Sequence, residues 1–452
     1  LFWGNAEARK KKGKKVEEVQ TESAYRKFFK GKACETAKGM ITLHKMDGRV
    51  YFEIPLALMG REMLMGSTIS EITNNGFGSV GEKPKGLLYI SFVRCDSVIS
   101  LKQLTAQYDT NEENLKQRIK ESTIPATIKN FKITTYNEDS TAVVIDMTDY
   151  LVSADEAINP FSPWAPILAG GERVMEKEFR RENSQVVSIK AFEDNVSVKS
   201  SLTYGLSLKN KVMYIFQREP FTAVMTRSFI LLPEHPMRPR LADPRIAIFS
   251  QGVSVFNGDS RGAQARYYAQ RWNLEPKDME QYRKGVLTEP KKPIVFYVDN
   301  TFPENWKKYI KEGVEVWQMA FEKIGFKNAI VARDFPVDDV TFDPDNLKYS
   351  CVRYSPSWVA NAMGPSWTDP RTGEIINASV YLYHNLVKMV QNWRFIQTGP
   401  ADANVRKIVF DEETLGECIR YVVSHEIWHC LGFMHNMAAS SAIPVDSLRS
   451  PS

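Results

Sequence analysis

Long apolar runs are missing from this chain of 452 residues. Stretches such as 229–232 and 294–298 are a few residues long, far short of the ~20 that a membrane-spanning helix needs. A helical membrane anchor within the sequence is excluded. Charge of one sign is also scarce: 59 Lys plus Arg stand against 54 Asp plus Glu, a net +5. Over this length that excess is too small for a protein built around nucleic acid or an anionic membrane. Cysteine is sparse, with five residues, Cys34, Cys95, Cys351, Cys418 and Cys430. They are odd in number, scattered and without a C-x-x-C pair, which excludes a disulfide framework and a cysteine zinc knuckle. No apolar leader follows Leu1, so the chain reads as processed or as part of a longer one.

What is present is ordinary globular composition, 43% apolar and 25% charged, in a chain long enough for two to four domains. The basic run at 8–15 reads as a solvated tail over 1–24. A small β-rich region follows at 25–99, with a hairpin turning at Asp47-Gly48. A larger β-rich region spans 100–286, with alternating segments at 142–145, 185–189, 196–204 and 212–217. Charged residues then lead into Glu289-Pro290-Lys291-Lys292-Pro293, a linker into a last domain at 287–452. That domain opens with an apolar strand at 294–298. A helix introduced by Pro303 follows, carrying Trp306, Ile310, Val314, Trp317, Phe321 and Ile324 on one face and closed by Gly325. Strands are expected around 329–332 and 374–382, the second set up by Asp369-Pro370-Arg371-Thr372-Gly373. The class is α+β.

Three of the six histidines fall within 425–435, in a segment that fits H-E-x-x-H-x-x-G-x-x-H at every fixed position. The spacing has a physical reason. His425 and His429 sit one helical turn apart on one face, so their imidazoles can converge on one ion. Gly432 can take the left-handed backbone that ends a helix, which lets His435 swing back to the same ion. Three neutral imidazoles are a zinc-like donor set that leaves a coordination position open, as catalytic rather than structural zinc sites do. One catalytic Zn2+ is therefore expected. Glu426 projects about 100° around the helix from His425, beside the ion rather than on it, and is expected to act as general base and then as proton donor to the leaving amine. Asp411, Glu412 and Glu413 favour the helix N-terminus.

The extended motif, with its glycine and third histidine, resembles the metzincin zinc peptidases. Pro293-Ile294-Val295-Phe296-Tyr297-Val298, the helix bearing Trp306, Trp317 and Phe321, the 369–375 turn and strand, and His435-Asn436 are similar to the catalytic domain of bacterial zinc-dependent metalloproteases. In these, two uncharacterised accessory regions precede the catalytic domain. Tyr51-Phe52-Glu53-Ile54-Pro55 with Gly60-Arg61, and Ala242-Asp243-Pro244-Arg245, look like those regions. The resemblance implies a mixed twisted sheet with a backing helix and an active-site helix, a protein or peptide substrate, and a setting outside the cytoplasm (periplasmic, cell-surface or secreted). It also implies a methionine turn past the third histidine. Met434 and Met437 are too close to His435 to supply it, so the catalytic domain is expected to be cut short at its C-terminus. By the same resemblance the strand at 376–382, with Asn377, Ala378, Ser379 and Val380, is expected to be the sheet edge that pairs with substrate. Trp428 departs from the small or aliphatic residue common before the second histidine, and is expected either to narrow access to the metal or to pack into a core shaped for it. The first outcome, or cover by the N-terminal regions, would make the protein a zinc-binding scaffold with an occluded site.

Other patterns are weaker. Gly258-Asp259-Ser260-Arg261-Gly262 matches a nucleophile elbow, but its β-rich surroundings lack the alternating strands and helices that the elbow needs. Gly76-Phe77-Gly78-Ser79-Val80-Gly81 matches a dinucleotide fingerprint, yet Pro84 and a strand follow where a helix is required. Asp338, Asp339, Asp343 and Asp345 could hold a structural calcium, although their spacing fits no EF-hand and solvated loop acids are the plainer reading. His44, His235 and His384 stand alone and read as structural.

Overall fold

The computed structural model describes residues 22–163, 165–168, 172–258 and 261–447. The basic run therefore lies outside the described residues, as do Asp259 and Ser260 of the elbow-like pattern. Alternation of apolar and polar residues in the first half produces strands throughout, and twelve of them form one antiparallel sheet. Next to its edge strand Cys34–Ala37 lies the hairpin of Thr42–Met46 and Arg49–Pro55, whose turn residues Asp47 and Gly48 both have positive φ, at 52° and 72°, as a two-residue hairpin matching the strand twist requires. Toward its other end run the long strands Tyr214–Leu231 and Asn195–Lys209, and Val174–Phe179 and Gln185–Ala191 pair with the latter. The sheet rolls on itself until its ends meet, where the Met40 N–H donates to the Phe192 carbonyl at 2.7 Å. Phe52, Phe92, Phe229, Met225 and Leu202 fill the inside.

The boundary expected at 99/100 falls inside the strand Val98–Gln103, and strands from both sides of it belong to this one sheet. The two accessory regions thus share a core, because strand pairing crosses the division that composition suggested. Contacts also cross the boundary expected at 286/287. Trp272 and Leu274 already pack on the C-terminal core, and Arg271 bridges to Glu374.

The C-terminal sheet runs Ile330–Asp334, Ile294–Val298, Ser350–Ser355, Ile375–Tyr383, all parallel, and closes with the antiparallel pieces Ala362–Met363 and Ser366–Thr368. One face carries the backing helix Glu304–Glu315 and the long helix Glu412–Cys430. The N-terminal region covers the other, in part through the loop after Met63–Ile72: the Tyr381 hydroxyl donates to the Gly81 carbonyl at 3.1 Å, and Ser355 and Ser79 hydroxyls meet at 3.1 Å. Ile375–Tyr383 is consequently buried along nearly its whole length, and apart from Asn377 and Ser379 it is apolar on both faces, as a strand covered on both sides is. The architecture is mixed α and β, β-rich at the N-terminus. Among the described residues no helix is long and apolar enough to cross a membrane.

The helix expected from Pro303 to Gly325 breaks at Val316 and Trp317 and resumes as Gln318–Lys323. Trp306, Ile310 and Val314 are buried as expected, while Ile324 is 56% exposed. The break turns Trp317 onto the long helix, where its indole N–H donates to the Ser424 carbonyl at 3.0 Å.

The Asp369–Gly373 turn ties the two halves together. Asp369 is fully buried, accepts both forks of the Arg371 guanidinium, and Arg371 also donates to Glu62 Oε2 at 2.6 Å and the Pro233 carbonyl at 3.2 Å. Arg371→Met leaves the Asp369 carboxylate buried without its cation, a change that costs about 3–5 kcal/mol. Thermal unfolding of the zinc-free protein should show a lowered midpoint, and an unchanged midpoint would contradict this role.

Candidate metal centre

The helix Glu412–Cys430 is started by Asp411, whose carboxylate accepts the Thr414 N–H at 2.9 Å; this bond, followed by Lys407, holds its carboxyl well below the usual range. Cys418, Ile419, Val422, Val423, Ile427 and Cys430 bury the stripe that faces the sheet. This seats the helix so that His425 and His429 lie at its margin, half-buried, one turn apart. The helix ends after Cys430, Gly432 takes φ +102°, and His435 folds back. His435 Nε2 then lies 3.1 Å from His425 Nε2 and 3.2 Å from His429 Nε2. Two nitrogens bound tetrahedrally to one zinc at 2.0–2.1 Å stand about 3.3 Å apart, and both distances from His435 are close to that. Among the described residues this is the one cluster of three metal-ligating side chains, with ligand atoms within 4.8 Å of one another.

The protonation states fit as well. His429 Nδ1 lies 2.8 Å from the Phe433 carbonyl, which can only accept, so Nδ1 carries the proton and Nε2 keeps its lone pair for a metal. Burial, then the neighbouring imidazoles of His429 and His435, push the His425 pKa down and favour the neutral form that ligates. Glu426 lines the same cleft as the three histidines and is 7% exposed. Burial pushes its carboxyl up to about 7, and a cation close by would draw it back down.

Two neighbours hold this geometry, and sequence reasoning found neither. Upstream residues 247–249 form a bridge with the third-histidine loop. The Phe249 N–H donates to the Gly432 carbonyl at 2.7 Å and the Met434 N–H to the Ala247 carbonyl at 2.9 Å, while the Trp272 indole N–H caps the Cys430 carbonyl at 2.9 Å. On the other side, Gly364 lies so close to the long helix that a Cβ there would stand 2.2 Å from the Glu426 carbonyl oxygen. Neither 247–249 nor 361–365 carries a local pattern, since each is a short segment whose meaning comes from what it touches. Between them opens a cleft of about 740 Å³, lined besides the site residues by Phe249, Met363, Pro365, Met389, Trp393 and Tyr421.

Residues 407–452 match a family model described as Met-zincin. Residues 83–277 and 22–72 match two others, each described as a domain of unknown function (DUF5117 and DUF5118). No curated protein and no solved structure matches the chain.

Several expectations are corrected. Asn377, Ala378, Ser379 and Val380 are at most 2% exposed and lie in an interior strand, paired on one side with Ser350–Ser355 and on the other with Ala362–Met363 and Ser366–Thr368. They present no free edge, and the outermost strand beside the metal helix is Ala362–Met363. Asp338, Asp339, Asp343 and Asp345 do not gather as a calcium site. Asp339 accepts the Thr341 hydroxyl and N–H, whereas Asp343 and Asp345 are buried against Lys199, and Asp345 pairs with Arg353 at 3.3 Å. Trp428 packs between Trp317 and Phe433, with ring centroids at 5.0 and 4.1 Å, and does not line the cleft. His44 bonds Glu53 and Thr36, and His384 bonds the Tyr354 hydroxyl and stacks on Trp306. His235 is exposed. The described part of the elbow-like pattern sits between the antiparallel strands Ser250–Val255 and Gln264–Ala269, and Gly76–Gly81 is loop.

Gly432 carries the sharpest local constraint, because any Cβ would combine a strained backbone with a contact 2.2 Å from the Gln270 carbonyl oxygen. Gly432→Ala should weaken zinc binding by about tenfold or more, the equivalent of ~1.4 kcal/mol. Competition against a chromogenic chelator measures it, and wild-type affinity in the variant would refute the assignment.

Proposed function

We propose that this chain is a zinc-dependent endopeptidase. The observation that carries the reading is the convergence of the His425, His429 and His435 Nε2 atoms beside an open cleft that the buried Glu426 also lines. Three protein ligands leave a position free, whereas a structural zinc is closed by four. Bound there, zinc would supply Lewis-acid polarisation of a carbonyl and acidification of water. Glu426 then has the two tasks of a general acid and base: an Oε accepts a proton from the attacking water and returns it to the leaving nitrogen. His429 is held in the ligating tautomer by the Phe433 carbonyl, and the 247–249 bridge keeps His435 turned inward.

The substrate class follows from the sheet. Ala362–Met363 ends the C-terminal sheet, and the following Gly364 touches the metal helix at Glu426. An extended peptide that adds to this edge would run past the site with its backbone hydrogen-bonded in register. Met363, Phe249, Trp393 and Tyr421 around the cleft favour apolar side chains near the scissile bond. The Met-zincin match over 407–452 supports the same activity. Trp428 packs away from the cleft, so the feature that motivated an occluded scaffold gives it no support. A setting outside the cytoplasm belongs to this reading through the family resemblance.

Glu426→Gln keeps the shape and removes the base. With zinc content unchanged, hydrolysis of an unfolded protein substrate should fall by about 10²–10⁴-fold, and a chelator should abolish it in the wild type. Undiminished cleavage by the variant, or cleavage that ignores the chelator, would overturn the proposal. In a separate measurement, zinc should raise the unfolding temperature of the wild type, and His429→Ala should lose that rise, since a ligand stabilises only the state that binds it. An equal rise in both would remove His429 from the site.

A further inference from the structure

The edge strand separates two cavities. On one side lies the metal cleft, and on the sheet face turned toward the N-terminal region lies a second cavity of about 880 Å³, walled by residues 79–86 of that region and by Trp367, Tyr381 and Tyr383 of the C-terminal sheet. Asn361, Met363 and Pro365 border both. A peptide added to the edge presents successive side chains to opposite faces. Every second side chain would therefore turn toward the metal cleft and the others toward this second cavity.

The second cavity holds a cation with no carboxylate of its own. The Lys83 ammonium lies 4.3 Å from the centre of the Trp367 ring and donates to the Ser379 hydroxyl at 3.1 Å, and among the described residues no acid comes within ion-pair distance of it. Burial pushes its pKa down to about 8, with Arg353 adding to the fall. The acids around it are engaged elsewhere. Asp345 is held by Arg353 at 3.3 Å and Lys199 at 3.6 Å. Glu82, on the same wall, accepts the Ser79 N–H at 2.9 Å and a hydrogen bond from Ser162. Lys85, also on the wall, pairs with Glu156 at 3.6 Å. A buried ammonium held only by a hydroxyl and a ring face is poorly compensated, and an incoming carboxylate would make a charge-assisted hydrogen bond to it in a water-poor setting.

We propose that this cavity is a substrate subsite that takes an acidic side chain, Asp or Glu, from a peptide lying along the edge strand, with Lys83 as the residue that reads it. The subsite rests on the peptidase reading above and adds a role for the N-terminal region. Residues 79–86 supply one wall of the substrate groove and set which peptides are cut, at one fixed position on one side of the scissile bond.

The test uses the zinc-loaded chain. Digestion of a mixture of unfolded proteins locates the cleavage sites, and synthetic peptides carrying Glu or Gln at the enriched position then give kcat/KM for wild type, Lys83→Met and Lys83→Arg. The wild type should favour Glu over Gln by about tenfold or more. Lys83→Met should bring the two within about twofold by slowing the Glu peptide alone, with the Gln peptide and zinc content unchanged, and Lys83→Arg should retain the preference. Cleavage by the wild type with no acidic preference at any position sinks the subsite whatever the variants do. A preference that survives in a folded Lys83→Met does the same. Absence of cleavage of any substrate by the zinc-loaded wild type is a different result, which overturns the peptidase reading and the subsite with it.

Discussion

Three imidazoles can meet at one point only if the chain reverses just after the second of them, and a helix end that reverses so sharply leaves backbone groups and an unsupported loop behind. The rest of the site depends on how that reversal is held. Gly432 supplies the backbone angle, but the loop stays in place because residues 247–249 pair with it as a short strand, and because Trp272 satisfies the Cys430 carbonyl at the end of the helix. The Phe433 carbonyl exposed by the same turn is what fixes the tautomer of His429. The bend thus positions one ligand and orients another.

This has a consequence for the organisation of the chain. The bracing residues 247–249 and 272 precede the 287–452 region, and the outer face of the C-terminal sheet is covered by the N-terminal region, whose loop residues Gly81, Ser79 and Lys83 bond to it. A parallel sheet must be covered on both faces. Helices cover one, and the N-terminal region covers the other while also walling the cavity beside the edge strand. The folded unit around the candidate metal centre is therefore larger than the segment that bears the histidines.

What was legible in the sequence follows the range of the interactions involved. The candidate ligand set, the proposed base and the turn at Gly432 are written in nearly consecutive residues, since helical spacing and a single glycine determine the cluster. The Asp47-Gly48 hairpin and the strands Ile294–Val298 and Ile375–Tyr383 were legible for the same reason. The sheet edge was misplaced because Ile375–Tyr383 has the stronger strand composition, whereas Ala362–Met363, which ends the sheet, is a two-residue strand with no pattern of its own. The division at 99/100 failed because pairing between distant strands is invisible to local composition. Asp343 and Asp345 looked solvated because their partners Lys199 and Arg353 lie far from them or across a strand.

The central claim is an open centre of three imidazoles, and X-ray absorption at the zinc edge of the zinc-loaded chain tests it most directly. The account predicts three histidine nitrogens at about 2.0–2.1 Å, with multiple scattering from three rings and one further light atom from solvent. A sulfur shell near 2.3 Å, or a fourth protein ligand closing the site, would contradict it.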